Sequence, residues 1–397
     1  MKTGKIFIFL LLGGLNISSA QSAPPHLKYF GYAVVDCGVD DPNDAATLTN
    51  YISEVDSFSN IAELCVENYT DTVIARVNLM NNSCVLPILA TSHIFYYLKD
   101  ANGPSGANYD LYSDYKARWT AFKANNASVL TAAKIGMFYI VDEPTWNGVT
   151  YPELDTVCAL MKSDFPNIPI TFIEAYTEVD SLKVPTTIDW FGFDRYGIAD
   201  VSTDSTYLSE LSITKSKRST AKQKILLVAD DQFMPGYPGQ GWQPDTIGYV
   251  FQNYYNLAAS DTNIIGIAAV TWPGLAPGWL GTRSLPKKVI NKNVQIGKMI
   301  KKNFSPCSNS GINEQTAKAE VKIYPIPVQD KLNILCPQNS GTIQIRICNT
   351  LGKLVGVQSI NTDPSSVSVE NLSPGIYFYQ ITSKDASILS SGKFVKE

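Results

Sequence analysis

Carboxylates collect where apolar, strand-length runs of this chain come to an end. Asp36, Glu63, Asp142, Glu143, Glu174, Asp194, Asp230 and Asp231 all sit at or near such ends, and His93, Tyr196 and Trp272 occupy comparable places. Crowded, unpaired carboxylates cost free energy through desolvation and mutual repulsion. That cost is tolerable where crowding keeps a proton on one of them for general-acid work. Glycoside hydrolysis needs this arrangement: one protonated acid for the leaving oxygen and one carboxylate as nucleophile or base. The sharpest signal is Phe138-Tyr-Ile-Val-Asp-Glu-Pro144, an apolar strand stopped by acid-acid-Pro with Glu143 at its mouth. Asp142 beside it suits either a catalytic role or a structural hydrogen bond to a loop amide. Three residues compete for the second carboxylate: Asp230, Asp194 in Trp190-Phe-Gly-Phe-Asp-Arg-Tyr196, and Glu174 in Phe172-Ile-Glu-Ala-Tyr176. Side chains alternate along a strand, so only one of Asp230 and Asp231 can face inward, and Asp230 is the expected one.

The elements that must position these groups alternate between strand-length and helix-length runs from Tyr29 to about Asn303. The strand-like runs are Tyr29 to Val35, Asn60 to Cys65, Val85 to Thr91, Ile135 to Val141, Ile168 to Ile173, Ile188 to Phe193, Ile225 to Ala229 and Ile264 to Thr271. This pattern predicts an α/β fold, a (β/α)8 TIM barrel, whose reactive groups lie at the C-terminal ends of the strands. No Gly-x-Gly-x-x-Gly follows the first strand, which argues against a dinucleotide-binding sheet. Tyr109 to Lys123, with Leu111, Tyr115, Trp119 and Phe122 on one face, and Tyr249 to Leu257 read as helices. The connection after the fifth strand is short and is the weakest unit.

Composition narrows the chemistry. The 397 residues carry 32 Lys and Arg against 36 Asp and Glu, a net charge of −4, which argues against a nucleic-acid partner. Only His26 and His93 are present and no Cys-x-x-Cys occurs, so no metal site of nitrogen and sulfur ligands and no cofactor is expected, while a site made of carboxylates stays open. Asp36, Asp40, Asp41 and Asp44 lack the glycine and glutamate of a calcium loop, and a helix N-terminus explains Asp41 and Asp44 more simply. Lys2 and Lys5, the apolar run Ile6 to Leu12 and the small residues up to Ala20 read as a secretory signal peptide over residues 1–22, and no later run suits a transmembrane segment. Most of the seven cysteines (Cys37, Cys65, Cys84, Cys158, Cys307, Cys336, Cys348) are expected to be buried small apolar side chains rather than a disulfide framework, and their odd number leaves at least one unpaired. Lys287, Lys288, Lys292, Lys298, Lys301 and Lys302 read as the wet face of a last barrel helix. Tyr237, Trp242 and Trp279 either extend a cleft or pin their loops. The barrel is therefore assigned to 25–304 and a polar linker to 305–319. Short alternating runs over 320–397, broken by Pro, Gly and Asn, predict a small all-β sandwich.

In that second domain Val321-Lys-Ile-Tyr-Pro-Ile-Pro-Val328, Leu351-Gly-Lys-Leu354, Leu372-Ser-Pro-Gly-Ile-Tyr-Phe378 and Lys393-Phe-Val-Lys396 follow in order. The segment resembles the C-terminal sorting domain of the type IX secretion system of Bacteroidetes, with Ile326 standing where that family usually has Asn. The resemblance implies export in two steps, by leader and then by tail, to the cell surface or beyond. It also implies the type IX machinery as a partner. In the barrel, Asp142-Glu143-Pro144 resembles the fourth-strand Asn-Glu-Pro of the clan A glycoside hydrolases, and Trp272 resembles their eighth-strand tryptophan on which a sugar ring stacks. Two departures stand out: Asp142 replaces Asn, and the seventh strand ends in Asp230-Asp231 where the clan places a nucleophilic Glu. The adjacent acids also resemble hexosaminidases and chitinases, in which the substrate's own acetamido group attacks.

The expectation is an exported glycoside hydrolase-like protein acting on a poly- or oligosaccharide. Glu143 is its general acid, Asp142, Asp194 and Asp230 are the other catalytic candidates, and Trp272, Tyr196, Glu174, His93 and Asp36 bind substrate. The alternative is a non-catalytic glycan-binding barrel, which the missing seventh-strand Glu favours. Separations of ~5 to 5.5 Å between the two catalytic carboxyls would go with retention and ~6.5 to 9.5 Å with inversion, while no partner in that range would favour binding alone.

Overall fold

The computed structural model describes residues 22–309, 322–335, 343–350, 353–360, 365–383 and 388–397. The signal-peptide reading, most of the linker and Cys336 lie outside them. The chain divides into two units, Met1–Cys307 and Ser308–Glu397.

The first unit is a closed parallel barrel. In chain order its strands are β1 (Tyr29–Asp36), β2 (Ile61–Cys65) and β3 (Leu86–Ala90), then, after the hairpin β4 (Tyr96–Asp100) and β5 (Asn108–Leu111), β6 (Met137–Asp142), β7 (Ile170–Ala175), β8 (Trp190–Asp194), β9 (Lys224–Asp230) and β10 (Ile264–Val270). The closed order is β1-β10-β9-β8-β7-β6-β3-β2. The helices are α1 (Ile52–Val55), α2 (Ile74–Asn82), α3 (Ser92–Phe95), α4 (Tyr115–Asn126), α5 (Tyr151–Asp164), α6 (Ser205–Ser216), α7 (Ile247–Ser260) and α8 (Lys287–Lys301). All eight barrel strands fall where the apolar runs place them. The fifth unit has no full helix: only the short turn Tyr176–Glu178 joins β7 to β8.

One reading of the helices is corrected. Tyr109 and Leu111 belong to β5 of an antiparallel hairpin, and the helix starts at Tyr115. Tyr109 and Leu111 still pack on the core, so the apolar spacing that suggested one long helix arises from two elements in succession.

Two apolar clusters separate inside from outside. Ile61, Leu86, Ile88, Met137, Ile173, Trp190, Leu226 and Val228 fill the barrel interior, while the alternate residues pack against the helices. Close packing at one junction requires glycine. A Cβ on Gly297 of α8 would lie 2.6 Å from the Phe30 ring, so only the bare backbone allows α8 to lie on β1. Most of the lysines of α8 face outward as expected, but Lys301 turns in and donates to the carbonyls of Asp56 and Ser59.

The cysteine expectation is also overturned. Cys37–Cys65 ties the end of β1 to the end of β2, and Cys84–Cys307 ties the start of β3 to the segment after α8. The latter carries the barrel unit past residue 304. Cys158 is a buried free thiol and Cys348 is also free. Asp41 and Asp44 do not begin a helix. They clamp Arg283, which also holds Glu54 at 3.0 Å and lies over the Tyr51 ring.

The second unit is a sandwich built on its own core. One sheet is β11-β12-β15 (Lys322–Tyr324, Lys331–Leu335, Ser365–Ser368) and the other is β14-β13-β16-β17 (Leu354–Ile360, Ile343–Asn349, Gly375–Ser383, Ile388–Lys396). Leu332, Ile334 and Val367 of the first meet Ile345, Ile347, Tyr377, Ile381 and Phe394 of the second. Among the described residues no helix is long and apolar enough to cross a membrane.

The Cys84–Cys307 bridge closes a loop of sequence separation 223. Replacing both cysteines, Cys84→Ser with Cys307→Ser, is expected to lower barrel stability by about 2–4 kcal/mol. A denaturant midpoint matching that of wild type would show that the bridge adds nothing.

Candidate active site

The site is built on the loop that leaves β6. Glu143 adopts φ 44°, a left-handed conformation that a side-chain-bearing residue takes at a cost on the order of 1–3 kcal/mol. Its surroundings enforce it. The Glu143 N–H donates to Ile173 O at 2.7 Å, its carbonyl accepts from Asn147 N at 2.8 Å, and the Asn147 amide donates to Asp142 O at 3.0 Å. Below the loop, the buried Glu174 carboxylate accepts from the backbone N–H groups of Thr145 at 2.9 Å and Trp146 at 3.3 Å. Glu174 thus holds the loop that presents Glu143.

Glu143 and Asp194, at the end of β8, share a hydrogen bond. Burial, with the charges of Asp194 and Asp142 adding to it, pushes the Glu143 carboxyl up to about 9, so it holds its proton at neutral pH and donates to Asp194. Burial and the charge of Asp142 raise Asp194 to about 6, against the pull of hydrogen bonds from Tyr196 and Glu143. Asp142 faces open space on one side and protein on the others. That desolvation raises it, while the Tyr139 hydroxyl donates to its Oδ1 and opposes the rise.

Asp142 and Asp194 open on a cavity of about 460 Å³ at the mouth of the barrel, while Glu143 is not among its lining residues. Glu63, Asp142, Asp194, Tyr139 and Tyr196 line it, above the apolar floor of Ile88, Ile173, Leu226 and Val228. Glu63 was not among the expected site residues, although it shares the inward face of β2 with Ile61. Its Oε2 accepts the Val34 N–H at 2.7 Å, and burial lifts its carboxyl to about 7. Tyr139 and Thr171 are further lining residues without a sequence motif of their own.

Several expected residues are not brought to the cavity. Asp230 lies on the inward side of β9 as alternation requires, but it is fully buried and accepts from Gly197 N at 2.8 Å and from the Tyr237 hydroxyl. Its Oδ2 holds two loops, while its Oδ1 is buried without a hydrogen-bond partner. Asp231 points the other way, to Tyr32, Thr282 and Asn293. Trp272 is 4% exposed, packs edge-on against Tyr32 at 4.9 Å and donates to Glu54, so its faces are covered and offer no sugar platform. Asp36 is buried against Arg76 at 2.9 Å, away from the cavity lining. His93 lies in α3, 3.8 Å from Glu67, and Glu67 itself reaches the rim. Tyr237 and Trp242 are buried against each other and pin their loop, and Trp279 donates to Gln232. The three ligand-type residues Cys37, Glu63 and Cys65 lie together, but the two sulfurs are joined in a disulfide.

Residues 322–397 match the secretion system C-terminal sorting domain family. No curated protein matches the chain. Among solved structures, an endo-β-1,4-mannanase double mutant from Cellulomonas fimi is 10% identical, with 94% of each chain covered and a TM-score of 0.40. A GH113 β-mannanase from Alicyclobacillus acidocaldarius is 11% identical over 63% of this chain and 90% of its own, with a TM-score of 0.45. An immunoglobulin-like β-sandwich protein from Bacteroides vulgatus is 21% identical over 19% of this chain and 84% of its own, with a TM-score of 0.18.

The raised carboxyls fix how stability depends on pH. Asp194 and Asp230 near 6, Glu63 and Asp231 near 7 and Glu143 near 9 all hold protons more tightly folded than unfolded. Their stabilisation is complete below the ordinary carboxylate value of about 4 and is lost as pH rises through the folded values. The melting temperature is therefore expected to fall from about pH 5 to pH 9, and Glu143→Gln should flatten the upper part of that decline. Melts across this range check it; a melting temperature that rises over the same interval contradicts the assignment.

Proposed function

We propose that the barrel is an exported glycoside hydrolase-like enzyme that cleaves a poly- or oligosaccharide, with Glu143 as general acid and Asp194 as the second carboxylate. What supports this reading is Glu143, held on the strained β6 loop and pushed up by burial and by the charges of Asp194 and Asp142, next to two acids that line an open cavity. Two acids whose surroundings hold their pKa values apart are the arrangement that divides acid from base at neutral pH.

A glycosidic oxygen entering between the two carboxyls replaces their mutual hydrogen bond. Glu143 passes its proton to that oxygen as the C–O bond breaks and the bonding electrons leave with the alcohol. Asp194, ionised above about pH 6, faces the positive charge that develops at the anomeric carbon and serves as nucleophile or activates water. The hydroxyl oxygens of Tyr139 and Tyr196, whose protons go to Asp142 and Asp194, accept from sugar hydroxyls along the wall. Asp142 keeps the Glu143 proton in place through its charge. The sorting domain over 322–397 supports export through the type IX machinery.

A glycan-binding barrel without catalysis is the second reading, and the withdrawal of the seventh-strand Asp230 into loop contacts favours it. A glycan panel assayed for reducing-end release and separately for affinity decides between them. Wild type is expected to cleave at least one polymer, and Glu143→Gln to lose about 10²–10⁴-fold in rate while still binding it. Equal binding by both proteins with no cleavage by either would leave a lectin-like scaffold.

A further inference from the structure

The charged side chains lining the cavity are all acidic: Glu63, Glu67, Asp142 and Asp194, with no Lys, Arg or His among the described lining residues. Basic groups near the mouth are committed elsewhere. Arg195, next to Asp194 in sequence, is turned to Glu210 and lies over Tyr176, and Arg76 is held by Asp36. A second, independent feature points to a ligand. Thr171 is 1% exposed and lines the same cavity, yet its hydroxyl has no hydrogen-bond partner. A buried hydroxyl left without a partner carries a desolvation cost that a polar group arriving with a ligand would recover.

A bare divalent ion fits poorly. Among the described residues the only trio of potential ligand atoms within 4.8 Å of one another is Cys37, Glu63 and Cys65, and the disulfide removes both thiolates. No three cavity carboxylates come that close to one another, and the space suits a larger organic cation that also carries hydroxyls.

Resting on the glycoside hydrolase reading, we infer that the cavity takes a sugar with a free, protonated amino group, its ammonium held by Glu63 and Asp142 and one of its hydroxyls bonded to Thr171. The ammonium draws Glu63, lifted by burial to about 7, into its ionised form, supplies the countercharge that the wall lacks, and its three donors meet carboxylate acceptors. A uronic or sulfated sugar would bring a further negative charge against Glu63 and Asp142. A neutral hexose would leave the carboxylates unbalanced.

Binding of free glucosamine, galactosamine and mannosamine, each beside its parent hexose, and of glucuronate is measured by calorimetry on the full chain at pH 7. At least one hexosamine is expected to bind about tenfold more tightly than its parent, the gain of one charge-assisted hydrogen bond. Glucuronate should not bind. The preference should collapse in Glu63→Gln, which keeps an oxygen for the Val34 N–H, and in Asp142→Asn, both checked for folding by melting. Equal binding of hexosamine and hexose, binding of glucuronate, survival of the preference in both variants, or no binding of any sugar overturns the inference. Reducing-end release on the same preparation separates the two readings. Cleavage of a neutral glycan with no preference for amines removes this inference alone, whereas a hexosamine preference without cleavage of any glycan removes the hydrolase reading alone.

Discussion

The shared proton between Glu143 and Asp194 is the constraint on which the barrel mouth depends. Two carboxyls in contact cannot both be ionised in a desolvated site, so the structure must either separate them or hold a proton there. It holds the proton, and the neighbouring charge of Asp142 raises its cost of removal. Reactivity then comes from position. Small displacements of the β6 loop would break the contact and leave burial, the larger cause, still raising both acids.

That is why so many polar groups are spent beneath the loop rather than in the cavity. Glu174 gives its carboxylate to backbone amides, Asn147 closes on Asp142, and the left-handed Glu143 is bracketed by hydrogen bonds on both sides. The same device recurs on β9, where Asp230 fastens the loops after β8 and β9 and Asp231 joins β1, α8 and the turn at Thr282. Buried acids in this barrel thus fall into two sets. One set faces the cavity, and the other fastens the framework through one carboxylate oxygen while the second oxygen of Asp230 and of Asp231 stays buried without a partner.

This division explains what could be read in the sequence. Strand positions and the acid-rich mouth follow from local pattern, because apolar runs and strand-end residues are local facts, and the barrel and sandwich follow from them. The pairing of Cys84 with Cys307, the Arg283 clamp on Asp41 and Asp44, and the covering of Trp272 by Tyr32 and Glu54 depend on contacts between distant segments. Trp272 and Asp230 look functional in sequence because position alone does not distinguish a side chain that lines a cavity from one that fastens its wall. Glu174 is informative in the opposite way: it was expected to bind substrate, and it instead positions the residue that would act on one.

The hardest feature to foresee is where alternation breaks. Strict period-2 geometry forbids two residues three apart on one strand from facing the same way, yet both Tyr139 and Asp142 line the cavity. The register of β6 against β7 shifts between those two residues. On β1 a second shift lies between Tyr32 and Asp36, and inside it Ala33 and Val34 both reach the cavity, with Val34 at φ 62° donating its N–H to Glu63. A bulge adds a residue to one strand and re-aims the side chains beyond it. Here the two bulges lie where the carboxyls need support: one brings a tyrosine hydroxyl to Asp142, the other a backbone amide to Glu63. The strained residues and the register shifts therefore belong to the same construction as the acid cluster, and a barrel with regular strands throughout would lose both supports while keeping every carboxylate in its sequence.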